Sequence, residues 1–572
     1  MRIVRVELQR FRGIDSLILL PREHAVLVGE PRSGKSTVID AIRRVLDPSS
    51  TRLRPSSWDI HRPLADADTD EDYPLTWVEL ALTELGDEIE QELDDKLELI
   101  DPESGLPSTD PSTAELGVRM RYCLQYRPYE DSLEHWVEYV RSGIRVSRAH
   151  REALRAIVID RSAPLQLRAE GAFRALAANQ DEQRLLVTIE NFGDSIREAT
   201  ESLAQSDSVR EALDAIAKQG ARFSLGVSET ALTEGVGFAA EDGSVSGLLR
   251  AIQPLLDLDA AGSLPLVSHG STASAILSVT EAMAASSLDH RVVIVDDFGD
   301  SLDSSSAEFL ASRLAQPRNQ VWLSTRRPEV LNAFAAEDLI RMTRHTGTVE
   351  THQLGTAKDK RERATRRYLS QILAGAMSAR TLILVEGPHD VESLVALDRK
   401  RYSELNKAPL SAYSSHIVAA SAGGSDGGKH RVLVLARLGV ELGFDVRAVL
   451  DSDKPGEDDE LIADLVDLCD MVVTMPKRTA IERALVRGLP GTVLKRILRA
   501  LNRDHELGLR VDDMDDENLE KTLVKQLKQK GGLHRLFVAQ LPERVFPEIA
   551  TALLVKLKGP APTGVRVEIP EP

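Results

Sequence analysis

The sequence predicts an α/β protein with two or three domains. Its 572 residues are enough for that number of separate hydrophobic cores. Near the start, an apolar strand at 24–28 runs into a glycine-containing turn and then a helical pattern. From residue 371 onward, apolar strands alternate with helices. This alternation is typical of parallel sheets covered by helices.

The composition of the chain excludes several classes of protein. No apolar run approaches the length of a membrane span, and the first residues read as a strand, not a secretion signal. Cys123 and Cys469 are the only cysteines, too few for a disulfide framework or a cysteine zinc site. We therefore expect a cytoplasmic protein without a membrane partner. The net charge of −19 argues against a surface that attracts nucleic acid everywhere, but it allows a local groove.

The segment GEPRSGKST (29–37) fits the pattern G-x-x-x-x-G-K-[ST] between a strand and a helix. Its backbone amides would hold phosphates at a helix N-terminus. Lys35 would reach the β- and γ-phosphates of ATP, and the Ser36 hydroxyl would bind Mg²⁺. The predicted nucleotide-binding residues of this segment are Gly29, Glu30, Pro31, Arg32, Ser33, Gly34, Lys35, Ser36 and Thr37.

A matching acidic strand end lies in RVVIVDDFGDSLD (291–303). Asp296 would hold the same Mg²⁺, and Asp297 would orient the attacking water. The 261 positions between Lys35 and Asp296 are too many for a compact GTPase-like domain. They suit an ATPase with a large insertion between the two motifs.

In this order, the motifs resemble the ABC-type ATPase heads of SMC, RecF and OLD (overcoming lysogenisation defect) proteins. LQRFRGI (8–14) is similar to their opening strand, VSHGSTAS (267–274) to their signature motif and 301–303 to their D-loop. The resemblance implies that Ser268 and Gly270 bind nucleotide held by the opposite protomer. It therefore also implies a homodimer or a higher homo-oligomer.

Several positions depart from that pattern. His269 and Ser271 replace the usual signature residues, Asp297 is shorter than the usual catalytic glutamate, and Arg326 takes the place of the switch histidine. These departures favour ATP binding over fast hydrolysis. We therefore expect a nucleotide-controlled switch.

A second acidic site is predicted in the C-terminal part. TLILVEGPHD (381–390) places Glu386 and Gly387 at a strand end, and DVRAVLDSDKPG (445–456) places Asp451 and Asp453 at another. Residues i and i+2 of a strand share a face, so these two carboxylates can converge on one cation. Glu386 on a neighbouring strand would complete an all-oxygen site for Mg²⁺ or Mn²⁺. The pattern resembles the Toprim fold.

Among Toprim proteins, the segment AGAMSARTLILVEGPHD (374–390) resembles the entry to this fold in OLD nucleases. A primase would need a cysteine set for zinc, and a topoisomerase would need a strand-passage region. PKRTAIERALV (476–486) is similar to a segment of OLD nucleases that holds a second metal, which implies Glu482 as a ligand with Asp390 as a contributor. ASAGGSDGG (420–428) is similar to their glycine-bearing turn. Where the family has a C-terminal lysine, His534 and Arg535 stand instead.

The domain organisation predicted from these motifs has five parts. The helical insertion would be a dimerisation region, with a break between two helices at Asp207–Ser208. The parts are an ATPase head (1–146), the mainly helical insertion (147–255), the rest of the head (256–350), a linker (351–375) and a Toprim domain (376–572).

The predicted activity is two-metal phosphodiester hydrolysis, controlled by nucleotide. Basic residues at 358–367 and 477–478 are candidate phosphate contacts. DNA is the expected substrate, and the residues leave RNA or tRNA open. The sequence is also compatible with a non-catalytic, ATP-gated scaffold that binds nucleic acid, and with a repair ATPase of the RecF kind.

Resemblance to the nuclease subunit of the Gabija anti-phage system implies a biological role in defence. It also implies a helicase-like or other defence partner. The predicted catalytic residues are Glu386, Asp390, Asp451, Asp453, Glu482 and Asp297, and the predicted metal ligands are Ser36, Asp296 and the same C-terminal carboxylates.

Overall fold

The computed structural model describes most of the chain and shows an α/β protein. The described residues are 1–48, 55–61, 75–127, 130–159, 164–167, 172–216, 245, 249, 252–257, 262–289, 291–316, 319–421, 428–452, 458–529, 531–559 and 564–571.

The first sheet is antiparallel and six-stranded. Its strands are β1 (Arg2–Phe11), β2 (Ile14–Leu19), β4 (Thr76–Thr83), β5 (Glu98–Ile100), β6 (Glu115–Arg127) and β7 (Ser132–Tyr139). The order is β2–β1–β4–β6–β5, and β7 also pairs with β6. On β6, Val118, Met120, Tyr122 and Leu124 are buried. This is the alternation expected of a strand with one face in a core.

The second sheet carries the predicted phosphate-binding loop. Its strands are β3 (Ala25–Gly29), β8 (Ile157–Val158), β11 (Val293–Val295), β12 (Val321–Ser324), β13 (Leu339–His345) and β14 (Thr348–Gln353). The order is β14–β13–β3–β12–β11–β8, and all pairs are parallel except β13 with β14. The loop after β3 and the acidic residues after β11 therefore emerge at the same edge of the sheet.

Ten helices accompany these two sheets among the described residues. They are α1 (Lys35–Leu46), α2 (Asp87–Glu92), α3 (Arg148–Ala153), α4 (Ala172–Gln180), α5 (Glu182–Ala204), α6 (Asp207–Ile216), α7 (Ser271–Asp289), α8 (Ser304–Leu314), α9 (Pro328–Leu331) and α10 (Lys360–Leu373). A short ribbon of β9 (Leu255–Leu256) and β10 (Leu264–Pro265) precedes α7. The two predicted helices are separate, but the break lies at 205–206 and not at Asp207–Ser208, because α5 ends at Ala204 and α6 begins at Asp207. Since β8 belongs to the second sheet, residues 157–158 lie with the head and not with the helical insertion.

The C-terminal part contains a five-stranded sheet with every pair parallel. Its strands, in the order β16–β15–β17–β18–β19, are β15 (Thr381–Val385), β16 (Ser415–Ala419), β17 (Asp445–Leu450), β18 (Met471–Thr474) and β19 (Val565–Glu568). Its described helices are α11 (Pro388–Leu405), α12 (Gly428–Glu441), α13 (Asp459–Leu468), α14 (Ile481–Val486), α15 (Gly491–His505), α16 (Asp516–Gln529), α17 (Leu533–Gln540) and α18 (Glu548–Lys558).

The segment predicted as a linker, 351–375, is folded. Residues 351–353 belong to β14, and α10 places Leu369 and Leu373 in a hydrophobic core. This core includes Val28 from the second sheet and Leu384 from the C-terminal sheet. The segment resembles a linker in sequence because basic residues dominate α10, and the apolar residues that pack lie only at one end of the helix. A folded segment thus stands where a linker was predicted, and apart from residues 157–158 the other domain boundaries stay predictions.

Arg341 on β13 connects the second sheet to the C-terminal part of the chain. Its fully buried guanidinium donates hydrogen bonds to four backbone carbonyls of the C-terminal part, those of Met377, Ala379, Leu442 and Gly443, at 2.6–3.3 Å. The guanidinium carbon also lies 3.6 Å from the centre of the Phe444 ring. Burial lowers the pKa of Arg341 to about 10, so the side chain stays charged at neutral pH.

Candidate functional site

The loop between β3 and α1 has a backbone shape that requires glycine. Gly29 and Gly34 have φ values of +126° and +102°. Residues with a Cβ rarely adopt such values. At Gly29, a Cβ would also lie 2.0 Å from the carbonyl oxygen of Met342 on the neighbouring strand β13. A larger residue at Gly29 would therefore strain the loop and displace β13.

Lys35 holds its ammonium group inside this loop. Nζ donates hydrogen bonds to the carbonyl oxygens of Gly29 and Glu30 at 2.9 and 2.8 Å and to Ser33 Oγ at 3.3 Å. Burial, followed by the charge of Arg326, lowers the pKa of Lys35 to about 8. Phosphate oxygens beside Nζ would favour the charged form again. The lysine is thus placed to bind an anion.

Ser36 and Asp296 meet at the edge of the second sheet, as predicted. Ser36 Oγ donates to Asp296 Oδ1 at 3.1 Å, and Ser324 Oγ donates to the same oxygen at 2.5 Å. A hydroxyl and a carboxylate in this arrangement match the serine and aspartate that hold Mg²⁺ in P-loop NTPases. The residues present therefore fit that cation.

Asp297, the predicted water-orienting residue, faces an arginine. Its amide donates to Ser324 Oγ at 2.7 Å, and its φ is +48°. Arg326 Nη2 lies 3.5 Å from Asp297 Oδ1 and 3.8 Å from Asp300 Oδ2. The side chain at the predicted switch position thus offsets the charge of the carboxylate that would orient water. Slow hydrolysis stays a prediction.

The predicted signature residues lie just before α7. Ser268 is in a short 3₁₀ helix (Leu266–His269), and Gly270, with φ of +90°, follows that helix. Thr272 Oγ1 donates to the carbonyl oxygen of Ser301 at 3.0 Å, so this segment contacts the predicted D-loop. A role of Ser268 and Gly270 toward a nucleotide on another protomer stays a prediction.

At the second candidate site, Glu386 and Asp451 are brought together. They follow the neighbouring parallel strands β15 and β17, and Glu386 Oε1 accepts a hydrogen bond from the Asp451 amide at 2.8 Å. A Cβ at Gly387 would lie 3.7 Å from Asp390 Oδ2. Glu386 and Asp451 thus lie together at one edge of the sheet, which we call the acidic edge, and the convergence of their carboxylates on a cation stays a prediction. Asp453 and residues 422–427 of the glycine-bearing turn lie outside the described residues.

Asp390 is buried beside these residues. Its Oδ2 accepts a hydrogen bond from the Gly387 amide at 2.8 Å. Burial raises the pKa of Asp390 to about 7, against the effect of that hydrogen bond, and the charges of Glu386 and Glu482 raise it further. A carboxylate in this state gains from a bound cation, because the cation stabilises its ionised form.

Glu482, in the first turn of α14, lies between two histidines. Its Oε1 is 3.7 Å from His389 Nδ1 and 4.0 Å from His534 Nε2. The ligand atoms of the three residues all lie within 4.8 Å of one another. We call His389, Glu482 and His534 the histidine–glutamate cluster. Burial, then the charge of His389, lowers the pKa of His534 to about 4, so its ring is neutral at pH 7.

Lys429 is a residue of this site that the sequence analysis missed. From the first turn of α12, its Nζ donates to the Asp451 carbonyl oxygen at 3.0 Å and to Asp458 Oδ2 at 2.5 Å, and it lies 4.0 Å from Glu386 Oε1. Burial opposes its charge, but the hydrogen bond to Asp458 and the charges of Glu386, Asp458 and Asp451 raise its pKa overall. The pattern that could have identified Lys429 from the sequence is a lysine directly after a glycine-rich stretch.

The two sets of predicted phosphate contacts lie in different surroundings. The Arg478 amide donates to the Ser452 carbonyl oxygen at 2.6 Å, which places 477–478 beside Asp451. Residues 358–367 lie mainly on α10, where most of the basic side chains are exposed. The contact with Ser452 makes 477–478 a candidate for binding a substrate at the acidic edge.

An ion pair connects the two candidate sites. Glu30, in the phosphate-binding loop, lies 3.1 Å from Arg380 Nη2, and Arg380 immediately precedes β15. At its other end, β15 leads into Glu386. A change in the loop on nucleotide binding could therefore reach the acidic edge through a single strand.

Comparison with known proteins gives limited matches. A family model described as a protein of unknown function, DUF2813, matches residues 1–97. No curated protein matches the chain. Among solved structures, the chain is similar to an SMC head bound to the C-terminal winged-helix domain of ScpA, at 14% identity and a TM-score of 0.36, over 63% of this chain and 99% of that one. It is also similar to the SMC head domain from Thermotoga maritima, at 12% identity and a TM-score of 0.30, over 62% of this chain and 100% of that one.

Membrane-spanning helices are absent from the described part of the chain. Every helix there is too short or too polar to cross a bilayer.

Proposed function

We propose that this protein is a nucleotide-regulated, divalent-metal-dependent DNA endonuclease with a Toprim-type nuclease site and an ABC-type ATPase head. The observation that carries the proposal is the hydrogen bond from the Asp451 amide to Glu386 at 2.8 Å, beside buried Asp390 and Glu482. Carboxylates gathered from separate elements at one sheet edge are costly unless they bind cations. An anti-phage role is proposed by analogy with the Gabija system.

The nuclease chemistry would depend on the acidic edge. Two divalent cations, when bound, activate water and stabilise the leaving oxygen of a phosphodiester. Glu386, Asp390, Asp451, Asp453 and Glu482 would hold them. Lys429, already positioned by Asp458, would place a positive charge near the incoming phosphate, and 477–478 would bind the backbone on one side.

The nucleotide would bind at 29–37. The loop amides and Lys35 would hold the phosphates of ATP, while Ser36 and Asp296 would hold Mg²⁺. Ser268 and Gly270 of a second copy would close the nucleotide site, so the active form would be a homo-oligomer. The Glu30–Arg380 ion pair would then transmit nucleotide occupancy to β15.

The test is cleavage of plasmid and linear phage DNA with Mg²⁺ or Mn²⁺, with and without ATP. The wild type is compared with Asp451→Asn and Lys35→Ala. Cleavage that is lost in Asp451→Asn and insensitive to ATP in Lys35→Ala would support the proposal. We expect Lys35→Ala to weaken ATP binding about 30-fold or more, because truncating a buried partner of a charge pair costs about 2–5 kcal/mol. Cleavage of RNA but not DNA would change the substrate class. Absence of cleavage under every condition would overturn the proposal.

Glu30→Gln tests the connection between the two sites. We expect the ratio of cleavage rates with and without ATP to change about fivefold, at the lower end of typical allosteric couplings. The substitution removes the charge that pairs with Arg380 but keeps the backbone carbonyl that Lys35 binds. The measurement is the cleavage rate against ATP concentration. Glu84→Gln, which weakens an exposed pair with Arg2, is the control. An unchanged ratio in Glu30→Gln would rule out this route.

A further inference from the structure

The histidine–glutamate cluster is built from three helix N-termini. His389, Glu482 and His534 are each the second residue of a helix, namely α11, α14 and α17. Two imidazoles and one carboxylate thus converge from elements that pack on one another.

His534 has unused ligand atoms in a buried position. Its side chain is 0% exposed, and neither ring nitrogen has a hydrogen-bond partner among the described residues. Leaving buried polar atoms without hydrogen bonds is unfavourable. Nε2 faces Glu482 at 4.0 Å, and Nδ1 faces Glu392 at 3.9 Å. The ring is thus positioned between two carboxylates but bonded to neither.

This arrangement has the parts of a metal site. Metal-bound histidines usually direct their second ring nitrogen to a carboxylate, the position that Glu392 occupies beside His534. Ligands about 2.1 Å from one ion lie about 3 Å apart. The two histidine–Glu482 distances are 3.7 and 4.0 Å, and all three ligand atoms lie within 4.8 Å of one another, so binding one ion requires inward shifts of about 1–2 Å.

We propose that His389, Glu482 and His534 bind a divalent transition-metal ion of the Mn²⁺-to-Zn²⁺ series in preference to Mg²⁺. Imidazole nitrogen suits the later ions of this series best and Mn²⁺ least, whereas Mg²⁺ takes oxygen ligands almost exclusively. The binding site is argued from its own geometry. Its role as the second cation position of the nuclease rests on the proposed function, since Glu482 is shared between the two.

The experiment uses the full chain, stripped of metal with EDTA and reloaded with Mn²⁺. Pulsed EPR detects ¹⁴N coupling when imidazole binds Mn²⁺, and oxygen-only sites give no such signal. We expect ¹⁴N modulation in the wild type, weaker modulation in His389→Gln and none in the double variant His389→Gln/His534→Gln. The first variant is the milder one, because the His389 side chain is 33% exposed. Titration should show Mn²⁺ affinity at this site reduced about 100-fold or more in Glu482→Gln, beyond what loss of an outer-shell partner causes.

Two controls separate this inference from the proposed function. His416→Gln removes an exposed histidine of the same domain and should leave the signal unchanged. Asp451→Asn should abolish cleavage but keep the ¹⁴N modulation. Absence of ¹⁴N modulation in the wild type, or equal modulation in the double variant, would overturn the inference even if Mg²⁺ supports cleavage. Modulation that depends on the cluster in a protein that cuts no nucleic acid would support the inference and overturn the nuclease proposal.

Discussion

Replacing Glu386 by glutamine should lower the cleavage rate about 10³-fold or more, equivalent to about 4 kcal/mol of transition-state stabilisation. Glutamine keeps the shape of the side chain and a carbonyl oxygen that can accept the Asp451 amide hydrogen bond, so the sheet edge should stay intact. What is lost is the negative charge that would hold a cation at this edge. The measurement is the single-turnover cleavage rate at saturating Mn²⁺ or Mg²⁺.

Glu441→Gln is the matched control for this substitution. Glu441 is an exposed carboxylate at the end of α12 opposite to Lys429, so its loss should leave the rate unchanged. Thermal unfolding of both variants should match the wild type within the range of surface substitutions. A Glu386→Gln protein that cleaves at the wild-type rate would show that the acidic edge is not the nuclease site.

Replacing Arg341 by alanine should lower the free energy of unfolding by about 3–5 kcal/mol, as when one partner of a buried charged interaction is removed. The substitution leaves four carbonyl oxygens without their donor and removes the contact with the Phe444 ring. Each unsatisfied buried acceptor costs about 1–3 kcal/mol before relaxation. The measurement is denaturant unfolding followed by circular dichroism.

Two further variants test the physical reason. Arg341→Lys keeps the charge but has fewer donors and no planar group, so it should be destabilised by an intermediate amount. Arg361→Ala, on the exposed face of α10, should change the free energy of unfolding by less than about 0.5 kcal/mol. Equal stability of Arg341→Ala and the wild type would mean that water replaces the guanidinium without cost.

The candidate sites could be predicted in part because their residues stand in fixed local patterns. A P-loop needs its glycines and lysine at set spacings, and parallel strands bring their carboxyl ends to one edge. Ser36 with Asp296, and Glu386 with Asp451, therefore meet as predicted. The separation of α5 from α6 could also be predicted from a local pattern, because polar residues interrupt the apolar periodicity between the two helices.

Other features depend on contacts that no local pattern encodes. Lys429 lies near Glu386, and His389 and His534 lie near Glu482, because separate helices bring them there, and their spacing in sequence does not indicate these contacts. The fold of 351–375 was concealed because Leu369 and Leu373 sit at the end of a strongly basic helix. The sequence around Arg341 is an apolar strand pattern, and this pattern does not predict the four distant carbonyl oxygens that the side chain binds.

The shared hydrophobic core and the hydrogen bonds of Arg341 limit how this chain can be divided into fragments that fold. Two halves expressed separately would each expose apolar side chains that now face each other, and Arg341 would lose every carbonyl it binds. Gly443 adds a steric condition, because any side chain there would collide with His352. A chimera that takes one half from a relative should therefore fold only when β13, β14 and 442–444 all come from the same protein. For engineering, we therefore expect the chain to behave as one inseparable unit and not as two portable modules.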